Sequence, residues 1–506
     1  GVSSAASDVY KRQVINRNNA SMQASGQLML EAGGRLVNGE GARLVGDSVS
    51  LKTTGASDNA GLVYAKRTLT VKAKGGVTNQ AAPKSASTSA PTQTATQPAT
   101  QTGDDEGALL YGGDGVSVTA GGTLVNGKGA RIVGGNVALD AQALRNEGGT
   151  LRAGIAGAPV ATGTSATPGA ANANAAGTQG HLTIKTGGDV VNREQGLMLA
   201  MGKLAIDAAN VDNTTQSRIV ARDVDIDARG NVGNLDSAIE ADGTLAIDAE
   251  TIVNRKKAAA PAAAAASSSS SSAPAPATPS GQIGALNVTL KARQSLDNAG
   301  RIEGGNVTVT TEALHNRAAG EILGQGGLVD IGTHTYDNAG KIHSTQAAKL
   351  TLTQGANLEI DAALKLPTAD QWLALKANDI TVGRDLASAG DLVLEASGAI
   401  RNRAAVLAGG SLALNSKKGM SNEAGALLYA GKNLFVEDKT SLVNHSDAEM
   451  LAQGHVVLKG GDVRNAAGAR ISAGEDLLVQ ADSLTNEAQY SGGVQSKALE
   501  QGRHVY

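Results

Sequence analysis

The chain of 506 residues contains no cysteine. This excludes disulfides, thiolate catalysis and thiolate metal sites, and it fits a protein that must stay unfolded during export. The sequence also lacks any run of eighteen apolar residues, so it contains no segment that would cross a membrane as a helix. The formal net charge is only −3, which predicts no extended electrostatic surface for nucleic acid.

Aromatic residues make up only 2% of the sequence, with one tryptophan and one phenylalanine. Large side chains normally supply much of the buried area of a thick globular core. The apolar residues here are mostly Val, Leu, Ile and Ala, and 65 glycines accompany them. This composition favours a thin core that is repeated many times, rather than several globular domains.

Proline is almost confined to three segments, which contain nine of the ten prolines. The segments are residues 80–106, 154–180 and 256–281, and they are rich in Ala, Thr, Ser, Gln and Pro. Because proline cannot donate to a strand ladder, we expect them to lie outside the sheets, and their composition predicts disorder. They begin soon after Asn79, Asn146 and Asn254, which predicts that all three emerge from one side of the molecule.

What the sequence does contain is an internal repeat of about 20 to 22 residues, which runs nearly from end to end. One period reads approximately Leu-x-Asn-x-x-Gly-x-Ile-x-Ala-Gly-x-x-Val-x-Leu-x-Ala, with apolar residues alternating at period two. This alternation predicts that Val137, Leu139 and Leu144 join a buried apolar column. A coil of this length buries almost nothing alone, so the repeat predicts a solenoid of stacked coils.

Each period is predicted to hold three short strands, with Gly and Asn between them, where a positive φ is cheapest. Between Asn338 and Asn402 the pattern blurs, but residues 350–352 and 373–375 keep the alternation, which predicts degenerate coils. A leucine-rich repeat has a similar period but needs a helical or 3₁₀ stretch, and a propeller needs about forty residues per blade. The sequence therefore predicts an all-β fold, a right-handed parallel β-helix.

The predicted domain organisation alternates β-helix coils with insertions. Coils are predicted for residues 14–79, 107–153, 181–255 and 282–488, separated by the three disordered segments. Residues 1–13 resemble the translated end of a sequencing-library transposon adapter, so we interpret them as an artefact, with the native N-terminus upstream. Residues 489–506 match no coil and are interpreted as the frayed end of a fragment.

The main candidate side chains are the asparagines that recur at one corner of the repeat, beginning with Asn16. We expect a stacked amide ladder in which each side chain bonds a turn backbone and the next asparagine, because stacked identical amides stabilise repeated strands. This is a structural prediction, with no catalytic, cofactor-binding or metal-binding residue and no cofactor. The predicted members are Asn38, Asn59, Asn79, Asn126, Asn146, Asn192, Asn213, Asn234, Asn254, Asn298, Asn316, Asn338, Asn402, Asn422, Asn444, Asn465 and Asn486.

Three aspartates, Asp207, Asp227 and Asp248, occupy the same place in three successive coils. Stacking puts like charges about 5 Å apart, which is unfavourable without a cation. Two interpretations follow: a site for a hard cation with oxygen ligands, or a solvated face, which we favour.

Other chemistry has little support. β-Helices also host polysaccharide lyases and hydrolases, whose carboxylates are grouped with basic residues on one face. Asp223, Asp225 and Asp227 alternate along one strand, but no Arg or Lys cluster and no aromatic sugar platform accompany them, which disfavours an enzyme. The histidines show no metal-ligand spacing; they are His181, His315, His334, His343, His445, His455 and His504.

Three segments carry a resemblance to a known family. They are residues 121–139 (GGTLVNGKGARIVGGNVAL), 427–434 (LLYAGKNL) and 468–474 (GARISAG). They resemble the haemagglutinin repeats of filamentous haemagglutinin-type exoproteins, and the resemblance covers roughly residues 14–488, insertions aside. The family includes large adhesins and contact-dependent inhibition toxins. It implies export through a dedicated outer-membrane pore (two-partner secretion) and folding into a long surface fibre.

Repeat and resemblance together predict the structural shaft of a bacterial haemagglutinin-like adhesin, secreted or exposed on the cell surface outside the outer membrane. About twenty coils would form a rod on the order of 100 Å. Its role would be attachment to host cells or other bacteria. The expected partners are the secretion pore and a host-cell or bacterial receptor or glycan, with no nucleic acid. The alternatives are the shaft of a contact-dependent growth inhibition toxin, a self-associating matrix protein and, least favoured, a polysaccharide-degrading enzyme.

Overall fold

Parallel strands are the elements from which this chain is built. The computed structural model describes residues 13–81, 107–154, 180–256 and 281–488. Strand pairs throughout these ranges are parallel, and the prediction of an all-β parallel solenoid with coils of about 21 residues is confirmed. No helix of the described ranges is long and apolar enough to span a membrane. The predicted insertions and terminal segments, apart from a few residues at their ends, lie outside the described residues.

The chain divides into two units, which we describe separately. The first comprises residues 1–351 and 365–368, and the second comprises residues 352–364 and 369–506. The strands of residues 13–352 are β1 Gln13–Asn16, β2 Ser21–Gln23, β3 Gln27–Ala32, β4 Arg35–Asn38, β5 Arg43–Gly46, β6 Ser48–Thr53, β7 Ser57–Asn59, β8 Leu62–Ala65, β9 Thr68–Ala73, β10 Val77–Asn79, β11 Leu109–Asn126, β12 Arg131–Glu147, β13 Thr150–Ala153, β14 Leu182–Thr186, β15 Val190–Arg193, β16 Leu197–Ala208, β17 Val211–Thr214, β18 Arg218–Ala228, β19 Asn231–Leu235, β20 Ala238–Ala241, β21 Thr244–Arg255, β22 Gln282–Ala299, β23 Arg301–Asn316, β24 Glu321–Gly324, β25 Leu328–Asn338, β26 Lys341–Ser344 and β27 Ala347–Leu352.

The remaining strands continue to residue 486. They are β28 Leu358–Ile360, β29 Thr368–Ala369, β30 Trp372–Ala377, β31 Ile380–Val382, β32 Leu386–Ser388, β33 Asp391–Ala396, β34 Ile400–Asn402, β35 Ala405–Ala408, β36 Leu412–Ser416, β37 Met420–Asn422, β38 Leu427–Ala430, β39 Leu434–Asn444, β40 Glu449–Ala452, β41 Val456–Asn465, β42 Arg470–Ala473 and β43 Leu477–Asn486.

One coil consists of three strand positions joined by corners. In a representative coil, β4 ends at Asn38, and β5 and β6 follow before β7 begins the next coil. We name these positions, in chain order, PB1 (which ends at the asparagine), PB2 and PB3. In the long strands β11, β12, β22 and β23 the backbone passes round the corners without a break in the strand, and bulges mark those corners. The prediction of three strand segments per coil is confirmed.

The core lies inside the coil and is built from every second side chain of each strand position. Val137, Leu139 and Leu144 are 1%, 2% and 0% exposed, as the period-two alternation predicts. Each such side chain contributes roughly 1.5–3 kcal/mol when it is fully buried. It is buried mainly by the residues in register in the coils before and after, so the coils stabilise one another rather than themselves.

The stretch with a blurred repeat does contain coils, as predicted. In the second unit, β28 pairs with β31 and β31 pairs with β34. In this register Ile360 and Val382 occupy the place that Asn402 takes in the following coil. The backbone therefore keeps its period while apolar side chains replace the amides.

The prediction that all three insertions emerge from one side is wrong. Residues 81 and 107, like residues 256 and 281, flank a corner between PB1 and PB2. Residues 154 and 180, by contrast, flank a corner between PB2 and PB3. The prediction was based on the number of residues between each corner asparagine and its insertion. It did not allow for the PB2 strand Thr150–Ala153, which lies between Asn146 and the second insertion.

A second correction concerns the backbone of the corner asparagines, for which we expected a positive φ. Non-glycine residues with positive φ in the described ranges include Asn18, Asn19, Glu194 and Gln195, but no asparagine of the predicted ladder. The ladder asparagines are the last inward-facing residues of the PB1 strands, so their backbone is extended. The left-handed residues come two or three positions later, in the turn itself.

Because a coil is the unit of folding, removal of residues 193–213 should be tolerated. The deletion joins Asn192 to Thr214. Asn192 and Asn213 are in register, so Thr214 takes the place of Arg193 and the strands stay aligned. We expect the melting temperature to change by no more than about 5 °C, because every remaining strand keeps an in-register neighbour. Circular dichroism during heating measures it.

The matched control removes residues 193–203, about half a coil. It joins a PB1 strand directly to the start of a PB3 segment at Leu204 and removes the PB2 segment between them, so we expect loss of the cooperative transition. Equal melting behaviour of the two deletions would contradict the in-register account.

Candidate functional site

The structure brings the predicted asparagines together in columns inside the coils. In the first unit, the corner asparagines from Asn16 to Asn338 form one column. Nδ2 of each donates to Oδ1 of the next corner asparagine, one coil later, at 2.8–2.9 Å. In the second unit Asn402, Asn422, Asn444, Asn465 and Asn486 form a shorter column with the same geometry. All the bonds point the same way along the chain.

The second amide hydrogen of these side chains is also used. Asn213, for example, accepts from Asn192, donates to Asn234 and donates to the carbonyl of Ala238 at 2.9 Å. Asn213 is 0% exposed, and both of its amide hydrogens and its amide oxygen are hydrogen-bonded within the protein. An interior rung of the column therefore has no group left for a ligand, which favours the structural role that we predicted for it.

The first column ends at a carbonyl rather than at another amide. Asn338 donates to the backbone oxygen of Lys365 at 2.7 Å. Tyr336, which takes the inward PB1 place of Leu314, donates its hydroxyl to the same oxygen at 3.0 Å. Burial raises the pKa of Tyr336 far above its ordinary value. A tyrosine phenol is protonated at neutral pH, so it has the hydrogen that this bond needs.

The three stacked aspartates are in register on the outward PB3 face, as the repeat predicts. Asp207 is paired with Asp227 and Asp227 with Asp248. Arg229 contacts Asp207 at 3.0 Å and reaches back to the carbonyls of Thr186 and Gly187, two coils earlier.

The same arrangement recurs at the end of this aspartate column. Arg293 contacts Asp248 and donates to the carbonyls of Ala228 and Arg229, and Lys291 also contacts Asp248, at 2.7 Å. Cationic side chains thus supply counter-charge to Asp207 and Asp248, the first and last of the three aspartates for which we had considered a metal ion. Among the described residues, no group of three or more His, Cys, Asp or Glu is arranged to hold a metal.

The neighbouring carboxylates of the same strand also have partners, which corrects our expectation that no cation accompanies them. Asp225 contacts Lys203 at 2.7 Å, and Asp223 contacts Arg222 at 3.2 Å and Thr244 at 2.9 Å. The sequence analysis missed Lys203 because it lies one coil earlier in the chain. These carboxylates are held by ion pairs and hydrogen bonds, not gathered around a cleft.

The described histidines are spread over different coils. His315 lies 3.2 Å from Asp337, and His455 lies 3.0 Å from Glu475 and 3.2 Å from Asp476. The ring nitrogen of His181 accepts from the backbone of Lys203 at 3.2 Å. His504 lies outside the described residues. The histidines therefore contribute separate contacts between coils.

A second set of corner residues was missed by the sequence analysis. Each has a side-chain oxygen that accepts the backbone N–H of a residue one coil later; they are Asn136, Asp223, Asn306, Asp391 and Asn433. The signal for them was present, since each of these Asn or Asp residues directly precedes the apolar start of a PB3 strand. The repeat pattern given above assigned no residue type to this position, so the sequence did not lead us to it.

Among the described residues of the second unit, Asp438 is the one aspartate that is buried in the core. It is 1% exposed and accepts hydrogen bonds at 2.6–2.8 Å from Ser416, Gly419, Thr440 and Ser441. Burial alone would raise the pKa of Asp438, but these hydrogen bonds together outweigh it, so the pKa is lowered. The carboxylate closes a corner that Thr53, Thr186, Thr311 and Thr333 close with hydroxyls in the first unit.

The chain is similar in sequence to proteins from two bacteria. The chain is 26% identical to deoxyribonuclease CdiA of Dickeya dadantii (strain 3937) over 481 residues, which is 95% of this chain. It is 35% identical to filamentous hemagglutinin of Bordetella pertussis (strain Tohama I) over 156 residues, which is 30% of this chain. The chain is distantly similar to both proteins. The resemblance predicted from the repeats is therefore confirmed.

The chain spans only 12% of the length of the CdiA relative and 4% of the filamentous hemagglutinin. No protein-family model matches the chain, and no solved structure gives a significant match. The nuclease activity in the name of the first relative is a property of that protein. What this chain has in common with the two relatives is sequence similarity over a small part of their length; the β-solenoid is the structure of this chain.

Substitution of an asparagine in the middle of the column should strongly reduce the stability of the fold. Asn213→Ala leaves one Nδ2 hydrogen of Asn192 without its acceptor and Oδ1 of Asn234 without its donor, both in the core. We expect the free energy of unfolding to fall by about 2–4 kcal/mol. Chemical denaturation measures it. Asn415→Ala, at an exposed PB3 position, is the control and should change the free energy by less than about 0.5 kcal/mol. Similar losses for the two variants would contradict a stabilising column.

Asp438 should make the stability depend on pH in the acid range. Its folded-state pKa lies below the unfolded value, so it stabilises the fold above the unfolded pKa of about 4, and this stabilisation is lost as the pH falls through the folded pKa. We expect the difference in melting temperature between wild type and Asp438→Asn to be largest above about pH 5 and to shrink towards about pH 3. A difference that stays constant over this range would contradict the assignment.

Proposed function

We propose that this chain forms part of the shaft of a haemagglutinin-like bacterial adhesin, secreted or held at the cell surface, which mediates attachment to host cells or to other bacteria. The observation that carries the proposal is the unbroken column of thirteen asparagines in the first unit, from Asn16 to Asn338. At about 4.8 Å per coil this column extends roughly 58 Å. A structure that gains length with each coil suits a spacer.

The outward faces also suit a spacer better than an enzyme. Of the carboxylates that alternate along residues 223–227, Asp223 contacts Arg222 and Asp225 contacts Lys203. A glycosidase would instead need an acid and a base or nucleophile on either side of a substrate bond. We therefore retain the prediction that the segment itself is not an enzyme.

The alternative is the shaft of a contact-dependent growth inhibition toxin, favoured by the similarity to CdiA over 95% of the chain. Both proposals include export through an outer-membrane pore of the two-partner type, since both relatives are large exoproteins. They differ in what the whole protein does when it reaches another cell.

A deletion strain of the bacterium that carries the gene separates the two proposals. For an adhesin, we expect the strain to lose at least about tenfold in cells attached to epithelial monolayers or to bacterial lawns, with unchanged growth of co-cultured competitors. For a toxin shaft, the competitors should instead be released from inhibition. Unchanged attachment together with unchanged competition would contradict both.

Two complementing genes test the shaft role itself. A gene that lacks residues 193–213 should restore attachment, because the coils remain in register, whereas one that lacks residues 193–203 should not. Antibody labelling of intact cells checks that each product reaches the surface. Failure of the in-register deletion despite normal surface display would contradict a spacer role for these coils.

A further inference from the structure

One outward face of the first unit differs in chemistry from the faces around it. We define the PB2 strip as the outward side chains of the seven consecutive PB2 segments from Arg43 to Val220. The strip contains no acidic side chain. The carboxylates of Asp47 and Asp114 lie beside it, on the corner between PB2 and PB3. The PB3 face of the same coils presents hydroxyls, lysines and aspartates instead, as a solvated face would.

A stacked aromatic pair lies near one end of the PB2 strip. The rings of Tyr64 and Tyr111 are 4.9 Å apart and nearly parallel, at 3°. In register, Val45 precedes this pair and Val133 follows it. The inner ring faces are therefore covered by each other, and Tyr64 remains 38% exposed. Apolar Leu62 and Leu109 continue the strip beside the two tyrosines.

Three arginines of the PB2 strip have no carboxylate partner among the described residues. Arg152 lies between Val133 and Leu199, and its buried Nε has no hydrogen-bond partner. Within the described ranges, Arg43 and Arg131 also have no ion pair. Arg218, at the end of the strip, contacts Glu240 at 2.6 Å. Burial lowers the pKa of Arg152, because no anion offsets the lost hydration of its guanidinium.

We propose that the PB2 strip is a binding surface for an extended acidic polypeptide segment that also carries apolar or aromatic side chains. Guanidinium groups bind carboxylates in a bidentate way, and tyrosine and arginine are the residues that most often dominate protein interfaces. The partner's carboxylates pair with Arg131 and Arg152, and its apolar side chains cover the tyrosine edges and the neighbouring leucines.

The dimensions of the PB2 strip match a peptide rather than a domain. Seven strands span roughly 29 Å, which an extended chain covers with about nine residues. An acidic polysaccharide fits less well, because sugars stack on open ring faces and the inner faces of this pair are covered. The inference concerns a surface of the solenoid and holds for an adhesin and for a toxin shaft alike.

The test uses the full chain and three labelled polymers in near-physiological salt: a random copolymer of glutamate and tyrosine, polyglutamate, and heparin. We expect the copolymer to bind most tightly. Arg131→Gln combined with Arg152→Gln should weaken its binding at least about tenfold, because two charge-assisted pairs are lost. Tyr64→Ser combined with Tyr111→Ser should weaken the copolymer but leave polyglutamate nearly unchanged.

Arg145→Gln is the matched control, since Arg145 is exposed and unpaired within the described residues but lies on PB1, between Arg131 and Arg152 in the chain. It should change the affinity for the copolymer by less than about twofold. Melting curves check that every variant is folded. The proposal is overturned if the copolymer does not bind saturably. It is also overturned if heparin binds more tightly than the copolymer and its affinity is unchanged by the tyrosine substitutions. A third contradicting result is that Arg145→Gln weakens binding as much as Arg152→Gln.

Discussion

The structure depends on one constraint: every coil must offer its backbone to the next coil in the same register. A coil of about 21 residues has no core of its own, so its inward side chains are buried only while the neighbouring coils stay aligned. In the pairing of β11 with β12 the register is kept residue by residue within each strand position, and it shifts only at the corners. Extra chain can therefore enter only at corners, where a change of length leaves the paired strands untouched. The described ends of all three insertions lie at corners.

The asparagine columns serve the same constraint from inside. A buried amide costs free energy unless all its groups are paired, and here they are paired only when successive coils are in register. A slip of one residue would turn the amides outward and bury polar neighbours in their place. The apolar residues supply most of the stability, because each is worth roughly 1.5–3 kcal/mol, but they tolerate shifts that the amides do not. In the second unit, the coils of Ile360 and Val382 keep the period although they have no buried amide to fix the register.

The period, the parallel strands and the membership of the columns could be predicted from the sequence, because each depends on residues a fixed distance apart. The exits of the insertions and the φ angles at the asparagines could not, since both depend on turn lengths that vary from coil to coil. The ion pairs were missed for a different reason. Arg229 reaches a carboxylate one coil back and carbonyls two coils back, and such a path is visible only when side-chain direction and reach are known. Asp438 was missed because a single aspartate at a threonine position carries no periodic signal.

The same physics separates the positions that must be conserved in character from those that are available for function. Inward residues and corner amides are committed to stacking, whereas outward residues of the three strand positions affect stability through surface pairs worth only about 0–1 kcal/mol each. An outward face can therefore change its chemistry at little cost to the fold. When such a face is uniformly solvated it needs no further explanation. The PB2 strip does need an explanation. Exposing apolar side chains and leaving Arg152 unpaired both cost free energy, and neither helps the coils to stack. That cost is offset when an acidic, partly apolar partner covers the face.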